Sequence, residues 1–87
     1  MGVDFIVTYG DIRIAVLARG SVVAATNKDV QAAAIGRTHH DCDRAAVITN
    51  SRFARSAEDE AQATGCFLIG MKEFRSFVMG SSLELFR

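Results

Sequence analysis

Residues 45–51, AAVITNS, constrain this chain more than any other stretch. Ala45-Ala46-Val47-Ile48 is a short apolar run, β-branched at its end, bracketed by Asp43-Arg44 and Thr49-Asn50-Ser51. Apolar residues without polar alternation read as a strand buried on both faces, which means a central strand with helices packed over it. A helix-like segment lies on each side of it, so the fold class is α/β. A chain of 87 residues makes one domain. At that size folding buries only a little over ~60% of the unfolded surface. Hydrophobic residues at 49% and the absence of proline exclude a disordered segment.

Upstream, residues 3–8 (VDFIVT) and 12–19 (IRIAVLAR) alternate in the manner of strands, with Tyr9-Gly10-Asp11 as a turn. So short a link makes them an antiparallel hairpin. Asp4 therefore lies near Leu17–Arg19. A small-residue loop follows, and Thr26 or Asn27 caps a helix over 28–40 with Asp29 in its first turn. After the central strand, Ser51 or Ser56 caps a helix over 55–64, which ends at Gly65. Residues 66–69 (CFLI) form a last short strand and 71–79 a terminal helix with Phe74, Phe77 and Val78 apolar. The expected domain is 1–79, with 80–87 as a C-terminal tail that frays or docks Leu83, Leu85 and Phe86 on a neighbour.

A β-hairpin followed by α-β-α-β-α gives a mixed four-strand sheet in chain order. The second and third strands then run the same way. This brings Asp4, Arg19, Asn50 and the start of helix 28–40 to one edge, and His39, His40, Cys42 and Cys66 to the other. The second group matches no zinc-ligand spacing, and histidines at a helix C-terminus are explained by the helix dipole.

The formal net charge is zero, so nucleic-acid binding would need a local cluster of base rather than a basic chain. Arg13, Arg19, Asn50, Arg52 and Arg55 are the candidates for holding a phosphate, with the free N–H groups at a helix start beside them. Two cysteines are too few for a disulfide scaffold and fit a reducing, cytoplasmic setting. The chain has neither a basic leader before a long apolar stretch nor an apolar run of about 18 residues, so no signal peptide and no membrane partner are expected.

Residues 42–57 (CDRAAVITNSRFARSA), with VDFIVTYGDIRIAV and NKDVQ before them, resemble the Mrr-type restriction endonuclease-like domain of the PD-(D/E)xK nuclease superfamily. The resemblance runs from about Val3 to Gly70 and implies the same mixed sheet. It also implies a divalent metal, Mg2+, held by an Asp on one hairpin strand and a (Gln/Glu)-x-Lys on its partner, where groups at i and i+2 share a face. Asp4 matches that aspartate and Gln31 a glutamine on the helix beside the site. Leu17 stands where Gln or Glu is expected, and Arg19 where Lys is expected. Leucine offers a metal no lone pair, and arginine stays protonated and cannot act as a base, although it clamps phosphate well. Ala54 replaces a usual capping Thr, and Glu60 a usual apolar residue. The family's leading helix is expected to be missing.

The resulting expectation is a DNA-binding domain of this type that no longer cuts, with Asp4, Arg19 and Gln31 as remnants of the catalytic site and Asp4 as a remnant metal ligand. One alternative is a homodimeric assembly module that pairs through the exposed edge of strand 3–8 and has no nucleic-acid activity. Another is an Mg2+-dependent endonuclease completed by a partner chain.

Overall fold

The computed structural model describes residues 3–20, 22–79 and 82–85, and of these it leaves out the side chains of Phe77, Val78 and 82–85. The hairpin pairs β1 (Phe5–Tyr9) with β2 (Ile12–Arg19) in the register Phe5↔Val16 to Tyr9↔Ile12. Gly10, at φ +56°, supplies the left-handed turn. The chain then crosses through α1 (Asn27–His39) to β3 (Arg44–Thr49), parallel to β2. It crosses again through α2 (Arg55–Thr64) to β4 (Phe67–Gly70), parallel to β3. Helix α3 (Met71–Met79) follows directly, and then β5 (Ser82–Leu85).

The sheet order is β4-β3-β2-β1-β5. The four expected strands lie in the expected order, and a fifth is added. Strand β5 pairs antiparallel with β1, Phe5↔Leu85 to Thr8↔Ser82, within the stretch read from sequence as a tail. The edge of strand 3–8 is therefore covered, which corrects the expectation that it stands open. The physical reason is that β1's outward N–H and C=O groups find main-chain partners in the same chain. Phe86 lies outside the described residues.

Strand β3 is buried from Ala45 to Thr49, and its alternation builds two cores. Ala45 and Val47 pack with Val30 and Ala33 of α1 and Ala57 and Ala61 of α2. Ala46 and Ile48 pack on the opposite face with Phe5, Val7, Ile14, Val16 and Ile69, against which Phe74 of α3 closes. The alanines of α1 and α2 bring both helices close to the sheet on one face and to each other.

Helix α1 starts where a capping box predicts, with Thr26 as N-cap and Asp29 three residues on. Neither serine expected to cap α2 does so. Its N-cap is Ala54, which makes no side-chain capping bond. Ser56 instead accepts from the Asn27 N–H at 3.2 Å, tying the start of α1 to that of α2. Gly65 ends α2 at φ +75° as expected.

Candidate functional site

Strands β2 and β3 both end where α1 and α2 begin. Two main-chain bonds knit these connections together: Ala25 N–H to the Arg52 carbonyl at 2.9 Å and Ala54 N–H to the Ala25 carbonyl at 2.8 Å. Ser51 adds its own bonds, donating its N–H to Thr49 Oγ1 and its hydroxyl to the Val22 carbonyl. The result is a braced ledge at the C-terminal end of the parallel strands, with two helix N-termini beside it.

Asp4 extends the hairpin by one pair. Its N–H donates to the Val16 carbonyl at 2.8 Å and its Oδ2 accepts from the Ala18 N–H at 2.7 Å. Carrying the register one step back from Phe5↔Val16 sets Asp4 opposite Leu17. Leu17 and Arg19, two residues apart, share a face of β2. Asp4, Leu17 and Arg19 are thus brought together, as their positions in the sequence predict.

What these side chains do differs from the metal-binding pattern. Leu17 is half-buried and packs against the apolar cluster beneath α1 and α2. Arg19 Nη1 donates to Asp29 Oδ1 at 3.2 Å, while Asp29 Oδ2 receives the Thr26 N–H at 2.9 Å. Asp29 is buried, so its carboxylate is committed on both oxygens, one to the helix cap and one to the guanidinium. Gln31 follows on α1 and is exposed. Sequence reasoning assigned Asp29 only to the helix dipole, although its spacing from Thr26 already marked the capping box. It also passed over Lys28, exposed in the first turn of α1 at the same ledge.

The five candidates for holding a phosphate are not one cluster. Arg19, Asn50 and Arg52 lie at the ledge, with Arg52 and Asn50 exposed. Arg13 lies at the other end of β2, six residues from Arg19 and so about 20 Å away. There its N–H donates to Asp43 Oδ2 and its carbonyl receives the Asp43 N–H, both at 2.8 Å. Its side chain hydrogen-bonds the Cys42 thiol, yet burial outweighs this contact and raises the thiol's pKa. Arg55 opens α2 but lines a groove between α2 and β4 with Glu58 and Asp59. At the Arg13 end the rings of His39 and His40 meet edge to face at 4.9 Å. Among the described residues, no three His, Cys, Asp or Glu side chains converge on a point where they would hold a metal.

Residues 1–78 match the family model Mrr_cat, restriction endonuclease. The chain belongs to the Mrr restriction endonuclease family. No curated protein and no solved structure gives a match. Against the metal that this family implies, the residues present do not fit. Asp4 is a hard oxygen donor, but Leu17 presents hydrocarbon and Arg19 a permanent cation already paired with Asp29. No helix of the described residues of this Mrr domain is long and apolar enough to cross a membrane.

Proposed function

We propose that this Mrr-family domain holds duplex DNA at the ledge where β2 and β3 end, and does not cut it. The loss of cleavage rests on one observation, the Arg19–Asp29 ion pair at 3.2 Å beside a half-buried Leu17 packed against the apolar cluster beneath α1 and α2. Together they fill with a fixed cation and a hydrocarbon the two positions from which a metal and its activated water would be served. DNA holding is supported by Arg52, Lys28 and the outer part of Arg19, whose side chain is 44% exposed. Asn50 and the two helix N-termini complete a surface that suits phosphate oxygens rather than bases. With two or three phosphates neutralised, binding is weak and depends on salt, log affinity falling against log salt with a slope of about −2 to −3.

The test is a titration of a labelled duplex at low salt, run with Mg2+ and with EDTA. The expected result is a complex that forms in both and leaves the duplex intact, and that Arg52→Ala weakens to a similar degree on unrelated sequences. Mg2+-dependent cleavage would overturn the loss of catalysis. Absence of a complex at the lowest salt would overturn DNA holding.

A further inference from the structure

Arg19 and Asp29 differ in how freely each can leave the other. Asp29 is 8% exposed and held at both oxygens, Oδ2 by the Thr26 N–H at 2.9 Å and Oδ1 by Arg19. Thr26 is itself fixed, because its Oγ1 accepts the Lys28 N–H at 3.3 Å as the N-cap of α1. The carboxylate is thus built into the helix start. The Arg19 side chain is 44% exposed and reaches Asp29 from the solvent side. A guanidinium presents its N–H fork to carboxylate and phosphate oxygens alike. Asp29 therefore stands against Arg19 in the way a phosphate oxygen would.

Resting on the reading of the ledge as a DNA surface, we infer that Asp29 competes with DNA phosphate for Arg19 and so holds the affinity of the ledge down. A paired cation and anion are together neutral to an approaching phosphate. Lys28 and Arg52, both exposed at the same ledge, supply the attraction, and Arg19 joins them fully only by giving up its carboxylate. That exchange gains little. One charge-assisted bond replaces another, and Asp29 is left buried with an oxygen that has lost its donor. Asp29 has two duties, capping α1 and neutralising Arg19, and they can be separated. Asp29→Asn keeps an oxygen for the Thr26 N–H and loses the charge. Asp29→Gln is the neutral residue of a capping box.

The experiment is the duplex titration over a range of salt with the wild-type chain, Asp29→Asn, Asp29→Gln, Arg19→Ala and the Arg19→Ala/Asp29→Asn double variant, with circular dichroism to confirm folding. The expected result is that either neutral variant binds roughly fivefold tighter at about 50 mM salt, its slope of log affinity against log salt steeper by about one, the counterion that a freed Arg19 releases at a phosphate. Arg19→Ala should abolish that gain in the Asp29→Asn background and weaken the wild type much less. Either neutral variant can be scored if the other fails to fold. A gain that survives Arg19→Ala would overturn the proposal, since the loss of a negative charge alone would then explain it. So would neutral variants that bind no tighter than the wild type, which would mean that Asp29 aims Arg19 at phosphate rather than withholding it. Both results leave DNA holding intact. A complex formed by the neutral variants alone would support the competition while overturning DNA holding by the wild type. No complex with any of the proteins would overturn both.

Discussion

Arg19 Nη1 meets Asp29 Oδ1 at 3.2 Å, so the last residue of β2 is clamped to the first turn of α1 across the whole intervening loop. The two residues contribute unequally. Asp29 is buried and completes the capping box through the Thr26 N–H, whereas Arg19 is substantially exposed and its Coulomb contribution is screened by water. Asp29→Ala is therefore expected to cost about 1–2 kcal/mol, the range for losing a good N-terminal cap. Arg19→Ala should cost ~1 kcal/mol or less. Urea denaturation of both variants and of the double variant checks this. A double variant as unstable as the sum of the singles would mean that the pair contributes no coupling.

Asp4 stitches the hairpin to its end by accepting the Ala18 N–H at 2.7 Å. Asp4→Ala should lower stability by about 0.5–1.5 kcal/mol, the net worth of one hydrogen bond. Asp4→Asn keeps an oxygen acceptor and should stay close to wild type. Mg2+ should leave the melting temperature unchanged in all three proteins, since among the described residues no three His, Cys, Asp or Glu side chains gather to hold a metal. A melting temperature that rises with Mg2+ in the wild type and not in Asp4→Asn would restore Asp4 as a metal ligand.

Sequence legibility follows what each signal depends on. The hairpin, the two parallel crossovers and the ends of α2 were readable because alternation, glycine placement and the apolar run of β3 are local patterns. Asp4, Leu17 and Arg19 could be brought together from sequence because the register of a two-stranded hairpin is arithmetic. Strand β5 was not readable. Its four residues gain a partner only from β1, some seventy-five positions earlier, and nothing local marks that pairing. Arg13 was grouped with Arg19 by charge alone, although a strand of eight residues holds them at opposite ends. The stop of α1, read at 40, falls at His39, although no glycine marks it. The chain leaves the helix through Asp41 at φ +55°, where glycine is the usual signal.

Helix α2 begins without a side-chain cap, since Ala54 has the extended backbone of an N-cap (φ −70°, ψ 158°) but no oxygen to offer. Ala54→Asp or Ala54→Ser places an acceptor over the free N–H groups of the first turn. The expected gain is about 0.5–1 kcal/mol, within the measured worth of such caps. Thermal or urea unfolding reads it directly. No gain from either substitution would mean that those N–H groups are already satisfied by other acceptors.

Cys66 sits at the foot of β4, buried against Val47 and Ala61, and burial pushes its thiol from the ordinary 9.0 up to about 11. The unfolded chain therefore releases this proton first as the pH rises, while the folded chain holds it until about pH 11. Folding is then favoured fully below pH 9 and loses that advantage progressively between 9 and 11. The loss is on the order of 2 kcal/mol. Cys66→Ala removes the titrating group at the cost of a small cavity, so it should be less stable at pH 7 yet show a flatter decline above pH 9. Denaturation midpoints measured from pH 7 to 11 on both proteins separate the two effects. Parallel curves would show that the alkaline loss comes from other groups and that the thiol ionises alike in both states.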